Sequence, residues 1–192
     1  MDYFANDNLI KPERGDLLIS EPYLPDPNFE RTVILLCEHD ENGSFGFVLN
    51  KPSNSNLDEL IEEAEGFDPT VYVGGPVQQN TLHFLHRSPG NLSNDKEIVN
   101  GIFWGVDFDR LLTSINTKAI DKKDLKFFIG YSGWSEGQLI DELKSKSWIV
   151  YKNATPELVF NMNAEELWKE ALKNMGGKYK MISNYPTDPR LN

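Results

Sequence analysis

The sequence predicts a single α+β domain built on a mixed, largely antiparallel sheet with a few short helices. Three observations predict it. Apolar runs of strand length follow one another through the first half, and short amphipathic segments arrive later. Strand and helix do not alternate regularly, which argues against a doubly wound sheet. No linker divides the 192 residues into two cores. The expected boundaries are a flexible N-terminus over 1–13, one domain over 14–177 and a C-terminal tail over 178–192.

Leu17-Leu18-Ile19-Ser20 reads as a strand, which the Pro-rich run from Pro22 to Pro27 cannot continue. Phe29 to Glu38 carries the strongest strand signal. Its unbroken apolar stretch, Val33 to Cys37, suits a central strand covered on both faces. Gly43-Ser44 is expected to turn the chain into a hairpin partner over Phe45 to Leu49. Asn56 opens a short helix with Glu59 completing a capping box, Leu57, Leu60, Ile61 and Ala64 facing inward and Gly66 ending it.

Val71-Tyr72-Val73 reads as a strand, as does Thr81 to His86, and residues 87–96 read as loop. Ile98 to Trp104 is expected to form two short strands around Gly101, and Asp107 to open a helix carrying Phe108, Leu111, Leu112 and Ile115. Leu125 to Ile129 is a buried strand running into Gly130-Tyr131-Ser132-Gly133-Trp134. A helix is expected from Ser135, capped through Gln138. Trp148 to Tyr151 is a strand. Asn163 and Glu166 cap a last helix bearing Leu167, Trp168, Ala171, Leu172 and Met175, stopped by Gly176-Gly177.

Composition narrows the function classes. The net charge of −11 repels phosphate backbones and anionic lipid, and weighs against direct nucleic-acid binding. The lysines between Lys144 and Lys180 are interleaved with glutamates and read as a solvated mixed-charge face. A single cysteine, Cys37, set in an apolar run, fits a reducing compartment. Neither a leader peptide nor a membrane span is visible, so the cytoplasm is the expected location.

Three places invite a chemical reading. Cys37 and His39, two apart on a strand, share a face, but roughly 6.6 Å separates such positions and a thiol in an apolar strand is ordinarily inert. His83 and His86 point to opposite faces of a strand and do not chelate one ion. With three histidines and one cysteine, no zinc motif exists, and His86 is expected as an edge residue bonded to backbone. Gly74-Gly75-Pro76 and Gly130-Tyr131-Ser132-Gly133 both follow strands, and the second leads towards a helix N-terminus, an arrangement suited to an anion. The same glycines equally serve tight turns and close packing beneath Trp134. Ser132 is not a nucleophile elbow, because Trp134 stands where that motif needs glycine. No catalytic residue, metal ligand or cofactor is expected. The candidate ligand-binding set is Gly74, Gly75, Ser132, Gly133, Trp134, His39 and His86.

Ordered blocks across nearly the whole chain carry a family resemblance. They include Gly15-Asp16-Leu17-Leu18-Ile19, Arg31-Thr32-Val33-Ile34-Leu35-Leu36-Cys37-Glu38-His39, Gly46-Phe47-Val48-Leu49-Asn50-Lys51-Pro52, Gly74-Gly75-Pro76-Val77, Gly130-Tyr131-Ser132-Gly133-Trp134 and Gly137-Gln138-Leu139. In these the sequence resembles the bacterial YqgE/AlgH, or UPF0301, family. The resemblance implies a small cytosolic α+β protein with bifurcated, coiled sheets. It also implies a link to transcriptional control of an exopolysaccharide in one branch, and it brings no catalytic residues.

Three function classes follow. The first is a regulator acting through an unidentified protein or small-molecule partner. The second is a small-molecule or nucleotide-binding module, or a weak enzyme, centred on the Gly74-Gly75 and Ser132-Gly133 loops. Direct DNA binding ranks last, for want of a helix-turn-helix pair, a basic recognition helix and a favourable charge.

Overall fold

The computed structural model describes residues 10–87, 92 and 95–187. The expected flexibility of residues 1–9, and most of the loop read over 87–96, fall outside the described residues. Strand β1 (Leu17–Ser20) lies between β10 (Trp148–Tyr151) and β2 (Val33–Asp40), antiparallel to both. The unbroken apolar run has the predicted consequence. Leu17, Ile19, Val33 and Leu35 meet Leu167, Trp168, Ala171 and Leu172 of α4 (Ala164–Met175). Leu18, Ile34 and Leu36 face Leu139 and Leu143 of α3 (Gln138–Lys144) on the other side.

β2 continues through a hairpin into β3 (Gly43–Val48). The turn is at Glu41 and Asn42, two residues before the expected Gly43-Ser44, because the Asp40 carboxylate accepts from the Asn42 amide at 2.8 Å and closes the bend there. Gly43 and Ser44 already pair with Asp40 and His39. β4 (Pro52–Asn56), not anticipated from its polar sequence, leads into α1 (Leu57–Leu60), where the expected Asn56–Glu59 capping box forms. The helix lasts one turn, so Leu57 is buried and Leu60 is 47% exposed, not on the inner face as expected.

β5 (Thr70–Val73), β6 (Val77–His86), β7 (Lys96–Val99), β8 (Ile102–Gly105) and α2 (Phe108–Asn116, capped by Asp107) form where the sequence places them, with β6 beginning earlier. β9 runs unbroken over Leu125–Ser135. The expected Gly-rich turn at residues 130–133 is therefore a strand, and α3 starts at Gln138 instead of Ser135. Half of the anticipated cap survives, as the Ser135 amide donates to the Gln138 side chain at 3.0 Å. A π-helical turn (Glu157–Asn161) and α5 (Gly177–Ile182) carry no clear sequence signal, and α5 places a helix in the segment expected to be tail.

The path β10-β1-β2-β3-β9-β6-β8-β7 makes a curled sheet. β9 is its junction. On one edge it pairs antiparallel with β6. On the other, its first half pairs parallel with Val71–Val73 of β5, and its second half pairs antiparallel with Gly43–Gly46 of β3. Two strands share one edge, so the sheet divides there, which is the bifurcation that the resemblance implied. The architecture is a single α+β domain.

Candidate ligand-binding cleft

The two glycine blocks meet at this fork. The Gly74 amide donates to the Ile129 carbonyl at 2.9 Å, and the Gly74 carbonyl accepts from the Val48 amide at 2.9 Å and the Ser132 hydroxyl at 3.1 Å. A Cβ on Gly74 would overlap the Gly130 carbonyl, and one on Gly75, at φ +156°, would overlap the Tyr131 backbone. Gly74, Gly75 and Ser132 are thus brought together inside the sheet and buried. The Gly74 backbone and the Ser132 hydroxyl are spent within the fork, and the Gly75 carbonyl accepts from the Gln79 side chain at 3.4 Å. They serve the close packing that was the alternative reading of these residues.

Trp134 is also buried. Its indole N–H and that of Trp148 both donate to Oε2 of Glu142, at 2.8 and 2.7 Å, while Gln138 donates to Oε1 at 3.0 Å. Gly133 alone of this block is exposed.

A β-bulge decides the fate of Cys37 and His39. The register steps from Leu36↔Gly46 to Glu38↔Phe45, leaving Cys37 as the extra residue. Strand alternation shifts by one, so Cys37 stays with Leu35 in the α4-side core while His39 moves to the α3 side. The shared face read from the sequence does not exist. Cys37 is 1% exposed, and burial pushes its thiol well above the ordinary range. His39 Nδ1 lies 2.6 Å from the Ser44 hydroxyl, beside a hollow of about 470 Å³ that Lys11, Arg14 and Ile140 also line.

His86 is fully buried, with Nε2 2.8 Å from the Asp95 carboxylate and its ring stacked on Phe103. It is not an edge residue, because β8 pairs with β6 there, and its Nε2 faces a carboxylate. The opposite orientation of His83 and His86 holds: His83 looks into the concave face, against Phe47 at 5.2 Å.

That face holds a cleft of about 630 Å³. Phe45, His83, Trp104 and Tyr131, from four neighbouring strands, form its walls, and Glu38, Asp40 and Asn42 its rim. Phe45 is the hub, edge-on to Trp104 at 4.8 Å and to Tyr131 at 6.0 Å, and Tyr131 meets the His83 ring at 6.1 Å. Burial lowers the His83 pKa and so favours the uncharged imidazole, and Thr81 Oγ1 holds its Nε2 at 2.9 Å. The bulge matters again, since it turns Glu38 towards this cleft. Lys96 of β7 pairs with Glu38 Oε1 at 2.6 Å. The wall is made of aromatic rings and an imidazole, and its rim has carboxylates. Of the expected residues, Gly133 and Trp134 line this cleft and His39 the neighbouring hollow, while Gly74, Gly75, Ser132 and His86 line neither.

Sequence reasoning missed Phe45, Trp104 and Tyr131 because each reads locally as an ordinary strand aromatic. Their convergence depends on cross-strand register, which one sequence does not carry. No group of three His, Cys, Asp or Glu among the described residues is arranged to hold a metal ion. No helix among them is long and apolar enough to cross a membrane.

The AlgH-like family model matches residues 17–180. A UPF0301 protein of Cytophaga hutchinsonii is 45% identical over 180 residues, covering 93% of this chain and 98% of that one. This chain belongs to the UPF0301/AlgH-like family. A UPF0301 protein of Chlorobium limicola is 41% identical, with 93% of this chain and 95% of that one covered. The solution structure of the Pseudomonas aeruginosa AlgH protein superposes with a TM-score of 0.70 at 30% identity, over 90% of this chain and 94% of that one. A crystal structure of a Corynebacterium diphtheriae protein shares the fold at a TM-score of 0.77 and 22% identity, over 92% and 94%. The AlgH-like region contains the β9 fork and the whole aromatic cleft.

Proposed function

We propose that this AlgH-like chain is a regulatory binding module that acts through a small-molecule ligand held in the aromatic cleft. Any part in transcriptional control then runs through the liganded protein and its partners, not through direct contact with DNA. The cleft itself carries this reading. Its volume of about 630 Å³ lies within the range of small-molecule sites, and its lining of aromatic walls with a few polar groups has their usual composition. The net charge of −11 and a carboxylate rim disfavour a nucleic-acid backbone there.

A metabolite screen by thermal shift, followed by ¹H–¹⁵N correlation spectra, tests it. A ligand at 100 times its Kd adds about 2.7 kcal/mol of stability, which for a chain of this size raises Tm by roughly 5–10 °C. The Trp104 indole and Tyr131 amide should move in the spectra, and Trp104→Leu should abolish the stabilisation. Hits whose perturbations map elsewhere, to the His39 hollow or the α4–α5 surface, would displace the cleft from this role. A low-salt mobility-shift series is expected to show no retardation, and a retarded band would revive direct DNA binding.

A further inference from the structure

Resting on the cleft as the binding site, we propose that its ligand is a small organic cation, with an alkylated ammonium or guanidinium head seated among the aromatic rings. Three features of the cleft converge on this chemistry. Phe45, Trp104 and Tyr131 present rings in edge-to-face contact, so their faces are turned in different directions around a common hub. Ring faces are negative in their quadrupole and attract a cation within about 6 Å, most strongly when the cation is weakly hydrated. At the fourth wall, His83, burial favours the uncharged imidazole, which opposes a positive guest less than an imidazolium would.

The rim points the same way. Among the described residues, Glu38 and Asp40 are the charged residues that line the cleft, and no lysine or arginine lines it. A phosphate or carboxylate ligand would meet the carboxylates of Glu38 and Asp40, and the nearby cation, Lys96, is already engaged with Glu38. An uncharged ligand would leave the acidic rim without a role. Lys96 reaches Glu38 of β2 from β7, at the far end of the curled sheet, with both side chains about half exposed at 48% and 43%. It therefore competes with a ligand for that carboxylate, which makes its removal a diagnostic change. The size of the cleft suits a free small molecule, which is the source to which the inference commits.

The probes are choline and agmatine, set against 3,3-dimethylbutan-1-ol, the uncharged isostere of choline, and AMP. They are titrated into the full chain and followed at the Trp104 indole and the Tyr131 amide. The cations are expected to shift these signals in a saturable way, and the isostere to bind at least about tenfold more weakly. Glu38→Gln and Asp40→Asn, both on the exposed rim, should each weaken the cations severalfold and leave any isostere binding unchanged. Lys96→Met should tighten the cations. An isostere or AMP that binds as well as choline overturns the inference while leaving the cleft as a binding site. The same holds if affinity is unmoved in all three rim variants. Failure of both cations to shift the cleft also overturns it, and the metabolite screen then judges the cleft separately.

Discussion

The hydroxyl of Ser132 donates a 3.1 Å hydrogen bond to the carbonyl of Gly74, across the point where β5 leaves β9 and β3 joins it. Val48 donates to the same carbonyl at 2.9 Å, so Gly74 ties three strands. Ser132→Ala removes one of two donors and is expected to cost about 0.5–1.5 kcal/mol, read as a lower urea midpoint with an unchanged m-value. Gly75→Ala drives a methyl into the Tyr131 backbone and should leave little folded protein. A Ser132→Ala variant as stable as the parent would remove the fork bond from the account.

Glu142 gathers the two indoles of the α3-side core. Trp134 and Trp148 are 6% and 5% exposed and stand edge-on at 6.1 Å. Glu142→Ala would strand both buried N–H groups, for a loss of about 2–4 kcal/mol, with a shift in tryptophan emission. Glu142→Gln, which retains an acceptor, should lose about half as much. Equal losses in the two variants would point to the charge and not to the indole bonds.

Lys126 sits inside the apolar first half of β9. It is 5% exposed, and desolvation brings its pKa down to about 7. Its Nζ donates to the Val159 carbonyl at 3.1 Å and lies 4.1 Å from the centre of the Tyr72 ring. Between about pH 7 and the ordinary lysine value near 10, the unfolded chain binds a proton that the folded chain does not. Stability should therefore rise with pH across that window by about 1.4 kcal/mol per unit from this group, with the full deficit present below it. Lys126→Met lacks this term, so the stability difference between variant and parent should shrink steadily from pH 7 to 10. Parallel pH profiles in urea melts would contradict it.

Arg31 fastens the C-terminal segment. Its Nη2 donates to the carbonyls of Tyr185 and Pro186, at 2.7 and 2.6 Å, and the guanidinium lies 4.6 Å from the centre of the Trp168 ring. Arg31→Ala is expected to cost about 1.5–3 kcal/mol and to speed amide exchange across Gly177–Ile182. Arg31→Lys should recover only part of the loss, because a point charge replaces a planar fork. Unchanged exchange in α5 would show that the segment docks without it.

Cys37 should behave as packing. Its buried thiol, held up by desolvation, is expected to resist a thiol reagent in the native state and react fully in denaturant. Stoichiometric labelling of the folded chain at neutral pH would overturn this.

Sequence by itself determined the fold class and most element positions, since these rest on local periodicity and capping. Val33 to Cys37 announced a strand covered on both faces, Asn56 with Glu59 announced a helix start, and Asp107 and Asn163 announced two more. It determined the acidic character that disfavours DNA, and its ordered blocks identified the family. Only the tertiary structure decided what the marked residues do. Gly130 to Gly133 looked like a turn because glycines are abundant there, yet β9 continues through them because β3 and β6 supply hydrogen-bond partners on both sides. One bulge residue separated Cys37 from His39 and turned Glu38 into the cleft. Register and bulges are relations between strands far apart in the chain. A site assembled from Phe45, His83, Trp104 and Tyr131 exists only once those strands have paired.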